Sequence, residues 1–146
     1  VVRSAQLHGI DIPPALVPLA IDEFPAIFIA AACAAGRTVL TGAEELRVKE
    51  SDRIQAMVDG LLVLGVDVRG TDDGAIIEGG PIGAGLDNAS INCHHDHRIA
   101  MAFAIAGLRA ESEILIHDCN NVATSFPDFV GLAAAVGLSI NVDSVE

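Results

Sequence analysis

The chain of 146 residues is 51% apolar, with a mean hydropathy of +0.50, and sets 20 acidic residues against 8 Lys and Arg for a formal net charge of −12. That balance argues against a protein that wraps nucleic acid, which needs basic surface, and no apolar run reaches the roughly 18 residues that cross a bilayer. Three cysteines, Cys33, Cys93 and Cys119, with no C-x-x-C pair, give no disulfide framework and fit a reducing, cytoplasmic compartment. With 5 Phe and no Trp or Tyr, the core must be built from Ala, Val, Ile and Leu. The chain opens at Val1 with neither an initiator Met nor a basic-then-apolar signal, which suggests a trimmed product or a piece of something longer.

In chain order, residues 1–16, with Pro13-Pro14, read as the tail of a preceding unit. Val17 to Ile21 is a short apolar run ending at Asp22, which is read as the junction of a strand end and a helix start. Asp22-Glu23-Phe24-Pro25 then reads as a helix start, with Asp at the N-cap and Pro tolerated in the first turn, and the helix is expected to stop at Gly36. Arg37 to Gly42 is a strand by its β-branched content. A second helix is predicted from about Lys49 or Ser51 to Gly65, with Ile54, Met57, Val58, Leu61 and Leu62 forming one buried stripe. Val66-Asp67-Val68 and Ala75-Ile76-Ile77 flank Asp72-Asp73-Gly74 as a hairpin, and Gly79 to Gly85 is a loop.

The order then recurs. Ala89 to Asn92 is a short strand, Asp96-His97-Arg98 opens an Ala-rich helix ending near Leu108, and Glu113 to His117 is a strand. Ser125-Phe126-Pro127-Asp128 has a capping-box pattern for a helix to Gly137, and Leu138 to Val142 is expected to close as a strand. Asp22 and Asp96 lie 74 residues apart, and Gly65 and Gly137 lie 72 apart. This predicts an α/β fold of two repeated βαβαββ units, residues 17–85 and 86–146, forming part of one domain.

Half of the Lys and Arg side chains, Arg47, Lys49, Arg53 and Arg98, fall in two short motifs. In Arg47-Val48-Lys49-Glu50-Ser51-Asp52-Arg53, helical spacing would put Lys49, Glu50 and Arg53 on one face. Two cations beside one carboxylate suit an anionic small molecule that also exchanges a proton, although such clusters are more often solvated ion pairs of a first helical turn. His97-Arg98 at a helix start reads as anion-facing, with Arg98, and Arg53 from the other copy, each able to hold a carboxylate or phosphate through two parallel hydrogen bonds. Asp96 is favoured as a simple cap; the role of Asp22 stays open at this point. Cys93-His94-His95-Asp96-His97 invites a metal reading, but neighbours in one short segment cannot all turn inward, and no second ligand pair stands at zinc spacing.

Four segments in this order, Asp22 within LAIDEFP, RVKESDRI from Arg47, DHRIAM from Asp96 and ATSFPDF from Ala123, resemble the C-terminal third of the EPSP synthase family, in its variant bacterial class. The resemblance covers nearly the whole chain. It implies transfer of the enolpyruvyl group of phosphoenolpyruvate to the 5-hydroxyl of shikimate 3-phosphate, with release of phosphate and with no metal or organic cofactor. It also implies a two-domain enzyme of three βαβαββ units per domain, so the partner of this chain would be the N-terminal part of the enzyme. By the same resemblance, Asp22 is the catalytic aspartate beside the shikimate hydroxyls and Lys49 contacts that substrate. Glu50 is the acid for the methylene carbon, Arg53 and Arg98 bind the phosphoenolpyruvate carboxylate, and His97 lines the site. Thr124 departs from members with a lysine in that loop, and Glu45 from members with an Asn. The resemblance leads to the expectation that the chain alone is inactive. The rival readings are enolpyruvyl transfer to a UDP-sugar and a non-catalytic binding or scaffold fragment.

Overall fold

The computed structural model describes residue 1 and residues 3–143. Its helices are α1 (Phe24–Ala32), α2 (Arg53–Val63), α3 (His97–Ala106), the single turn α4 (Val122–Ser125) and α5 (Phe129–Ala135). Its strands are β1 (Gly36–Leu40), β2 (Asp67–Thr71), β3 (Gly74–Gly79), β4 (Asn88–Asn92) and β5 (Glu113–His117). Strands β1, β3 and β2 form an antiparallel sheet in that order, with Thr71 opposite Gly74 across the Asp72-Asp73 turn, while β4 and β5 pair in parallel from Asn88–Glu113 to Asn92–His117. Residues 7–12 run parallel to β1, bonded through Gly9 N to Ala35 O and Ile12 N to Val39 O, at 2.8 and 2.9 Å.

Strand, helix, parallel strand occurs in full as β4, α3 and β5, and residues 7–12, α1 and β1 follow the same order, with residues 7–12 joined to β1 by isolated parallel bridges. The first helix is almost entirely apolar because it is enclosed: Phe24, Phe28, Ile29, Ala31 and Ala32 are all buried. It packs on α3 and on β3, while α2 lies on β2 and β4. Along α2, Ile54, Met57, Val58 and Leu61 are buried as the periodicity predicts, and Leu62 is exposed. Burying a side chain of this size contributes about 1.5–3 kcal/mol, so one stripe is enough to fix the helix's rotation. The α2–α3 contact depends on a missing side chain: a Cβ at Gly60 would stand 2.2 Å from Cζ of buried Phe103. That contact joins the C-terminal halves of the two helices; at their N-terminal ends Arg53 bonds Asp96, and the charged site is built there.

Several local expectations are corrected. Val17 to Ile21 is not extended; Pro18–Glu23 forms 3₁₀ turns, and the strand-like segment lies earlier, at residues 7–12. Asp22 is not the cap of α1, whose N-cap residue is Glu23, with no side-chain bond. The second helix begins at Arg53, not at Lys49 or Ser51, so Lys49 and Glu50 stand ahead of it, after a 3₁₀ turn over Glu44–Val48. Ser125 ends α4 instead of capping α5, which starts after Asp128. Leu138 to Val142 carries no strand; its leading residue Leu138 is instead buried against Phe129 and Ala133.

Candidate active site

Two caps set the site. At the start of α2, the Asp52 carboxylate accepts from Gln55 N, and at the start of α3 the Asp96 carboxylate accepts from Arg98 N at 3.0 Å. Asp96 is thus the cap the sequence favours, and it does more. It is fully buried, and Arg53, only 2% exposed, donates to it from Nε at 2.8 Å, while Ser51 Oγ donates to the same oxygen at 3.0 Å. A guanidinium out of water is sustained only by paired charge, and Asp96 supplies the fixed partner. The other partners of Arg53 face solvent: Nη1 donates to Asp22 Oδ1 at 3.0 Å and Nη2 to Glu50 Oε2 at 2.5 Å, with those carboxylates 46% and 51% exposed.

Asp22 is the meeting point. Its carboxylate lies 3.4 Å from Lys49 Nζ and is bonded by Arg53, and its backbone carbonyl accepts from Arg98 Nη1 at 2.7 Å. Arg98 also reaches Glu23 Oε1 at 3.2 Å, and Lys49 donates to Glu45. Freed from capping duty, the Asp22 side chain points to cations instead. Partial desolvation pushes its pKa up, but Lys49 first, then Arg98 and Arg53, outweigh this and hold the carboxyl below its usual range. Burial likewise works to raise the Asp96 pKa, and the Arg53 bond overcomes it, so Asp96 stays ionised. Burial works to lower the Arg53 pKa; Asp96, Glu50 and Asp22 together leave it raised.

The structure therefore brings together Asp22, Lys49, Glu50, Arg53 and Arg98, from a 3₁₀ turn, an irregular segment and two helix starts. They do not share one helical face. His97 begins α3 beside Arg98, half-buried and with no side-chain hydrogen bond among the described residues. Arg53 does not offer an open fork, because most of its donors are taken by the chain's own carboxylates. Among the described residues, no group of three His, Cys, Asp or Glu side chains is arranged to hold a metal. His94 and His95 instead take left-handed backbone conformations, with φ of 51° and 57°, in the tight turn from β4 into α3. Sequence reasoning missed the ion pair of Asp96, the reach of Glu23 to Arg98, and the contact of Glu45 with Lys49. The first two are long-range, and Glu45 and Lys49, four residues apart, meet across a 3₁₀ turn that the sequence reading did not assign.

A family model for EPSP synthase (3-phosphoshikimate 1-carboxyvinyltransferase) matches residues 1–132. The chain belongs to the EPSP synthase family. It is 64% identical over 141 residues to the 3-phosphoshikimate 1-carboxyvinyltransferase of Methylococcus capsulatus, a match covering 97% of this chain and 31% of that protein. It is 62% identical to that of Nitrosococcus oceani, across 95% of this chain and 30% of the relative. A solved structure of EPSP synthase from Acinetobacter baumannii superposes with a TM-score of 0.89 at 57% identity, covering 95% of this chain and 32% of that one. The chain thus spans about a third of the length of these EPSP synthase relatives, and its α/β architecture is that of the matching part of the family fold. No helix among the described residues is long and apolar enough to cross a membrane.

Proposed function

We propose that this chain supplies one wall of the active site of an enzyme that transfers the enolpyruvyl group of phosphoenolpyruvate to the 5-hydroxyl of shikimate 3-phosphate, releasing phosphate. The supporting observation is the Asp22-centred cluster, in which Lys49 and Arg53 meet its ionised carboxylate, Arg98 holds its backbone carbonyl and Glu50 stands at the exposed end of Arg53. In this reading Asp22 takes the proton of the attacking hydroxyl and Lys49 binds the shikimate 3-phosphate beside it. Glu50 gives a proton to the methylene carbon as the new C–O bond forms at the neighbouring carbon. Phosphate then leaves with the electrons of its own C–O bond, and the methyl group returns a proton to a carboxylate, restoring the double bond.

The phosphoenolpyruvate carboxylate would be held by Arg53 and Arg98, with His97 lining the same space. At Arg53 it would replace an exposed partner, Glu50 or Asp22, while buried Asp96 keeps the guanidinium fixed. Exchange of one carboxylate for another preserves the charge balance, and where Glu50 is the partner displaced it takes up a solvent proton, which it then gives to the methylene carbon. Because the chain covers only about 31% of its relatives, the opposing wall and the remaining phosphate contacts would come from the rest of the enzyme's length, and the chain alone would be inactive or nearly so.

The test places residues 1–146 in a full-length enzyme of the family and follows phosphate release from phosphoenolpyruvate with shikimate 3-phosphate or a UDP-sugar as acceptor. Release that requires shikimate 3-phosphate supports the reading. Release with only the UDP-sugar, or with neither acceptor, overturns it.

A further inference from the structure

The segment that carries Lys49 and Glu50 is irregular, yet it is tied at three points to the turn of the β2–β3 hairpin and to the cap of α2. At its start, the Asp73 carboxylate accepts from Gly42 N and the Asp73 carbonyl from Ala43 N, both at 2.7 Å, and Thr71 Oγ1 holds the other carboxylate oxygen at 3.2 Å. In its middle, Arg47 spans the gap: Nε donates to Asp72 O at 2.7 Å, and Nη2 donates to Thr71 O. At its end, Arg47 Nη1 donates to Asp52 Oδ2 at 2.6 Å, while the other oxygen of Asp52 caps α2. The side chains in these ties make no hydrogen bond to Asp22, Arg53 or Arg98 among the described residues. The Gly42 bond, the leading cause, holds the Asp73 carboxyl below its usual range, so it is an ionised acceptor at neutral pH.

We propose that Arg47, together with the Asp72-Asp73 turn, is a positioning device that sets Lys49 and Glu50 against Asp22 and Arg53. A side chain with five fixed donors suits this task, because two backbone carbonyls and one carboxylate are met from one rigid plane. Lys49 and Glu50 have no helix of their own to hold them, since α2 starts only at Arg53. The hairpin turn replaces it. The proposal rests on the proposed roles of Lys49 and Glu50, and misplacing such groups by about 1 Å costs about 100-fold in rate.

The experiment uses the full-length enzyme carrying residues 1–146 and compares Arg47→Ala, Arg47→Lys and Asp73→Asn. Arg47→Ala is expected to lower kcat/KM about 100-fold, and Arg47→Lys to recover part of that loss. In a Lys49→Ala, Glu50→Gln background the same change is expected to cost less than about threefold, since residues acting through one another are not additive. In parallel, hydrogen exchange at the amides of Gly42, Ala43 and Leu46 should quicken in Arg47→Ala, while α2 amides stay protected. An equal loss in both backgrounds, or unchanged exchange in that segment, overturns the proposal. If the unaltered enzyme releases no phosphate, the functional reading fails by itself, and the exchange arm still decides whether Arg47 orders the segment.

Discussion

Replacing Asp96 with Asn isolates the charge that holds Arg53. Asn is as good an N-cap as Asp, so the bond from Arg98 N is retained, while the oxygen that accepts from Arg53 and Ser51 becomes an amide donor and the ion pair is lost. Arg53 is 2% exposed and Asp96 is fully buried, so the change strands a guanidinium away from water with Glu50 and Asp22 as its remaining anionic partners. Breaking a buried pair from one side costs about 3–5 kcal/mol, and the two surviving carboxylates place this case near the lower figure, about 3 kcal/mol. With a urea dependence of about 1.5 kcal/mol per M, the unfolding midpoint should fall by about 2 M. Asp96→Ala should cost about 1 kcal/mol more, the value of the lost cap. The solvent-facing pair of Arg37 and Glu78 is the comparison, and Glu78→Gln should leave the midpoint almost unmoved. An Asp96→Asn midpoint equal to that of the unaltered chain would refute the argument that Asp96 is the fixed anchor of Arg53.

Three further outcomes follow from the same geometry. The Asp96 pKa is lowered on folding, so its contribution is fully present above about pH 4 and is lost as pH falls through the folded value; urea midpoints should drop between pH 5 and lower pH, less steeply in Asp96→Asn. Burial, with Cys119 adding to it, pushes the Cys93 thiol up to about 11, so alkylation at pH 7.5 followed by mass spectrometry should label Cys33 and Cys119 well before Cys93. Gly60→Ala, which forces a methyl group into the Phe103 ring, should cost about 1–3 kcal/mol in the same urea experiment.

What the sequence reveals follows how local each signal is. The stripe on α2, the Asp72-Asp73 hairpin and strand β5 are encoded by neighbouring residues, and each stands where periodicity or turn chemistry places it. Leu138 to Val142 has equal β-propensity, but a strand forms only where another backbone accepts its bonds, and no ladder is found there among the described residues. Asp22 shows the opposite failure. Its place before an apolar helix suggests a cap, while the cations it meets come from Lys49, Arg53 and Arg98, up to 76 residues away. The residues proposed for the site stand out in the sequence through family-like motifs. Their supports, Asp96 beneath Arg53 and Arg47 on the hairpin, do not, because a buried ion pair and a loop clamp are facts of packing.

The most direct measurement of the central claim is the KM for phosphoenolpyruvate and the kcat of the full-length enzyme carrying this chain, with and without Arg98→Ala. Arg98 reaches the carbonyl of Asp22 while remaining 33% exposed, so its loss should leave the fold intact and remove one side of the proposed carboxylate clamp. The account predicts a phosphoenolpyruvate KM at least 10-fold higher, a loss of about 1.4 kcal/mol or more in binding, with little change in the KM for shikimate 3-phosphate. Unchanged KM and kcat for phosphoenolpyruvate in a folded Arg98→Ala enzyme would contradict it.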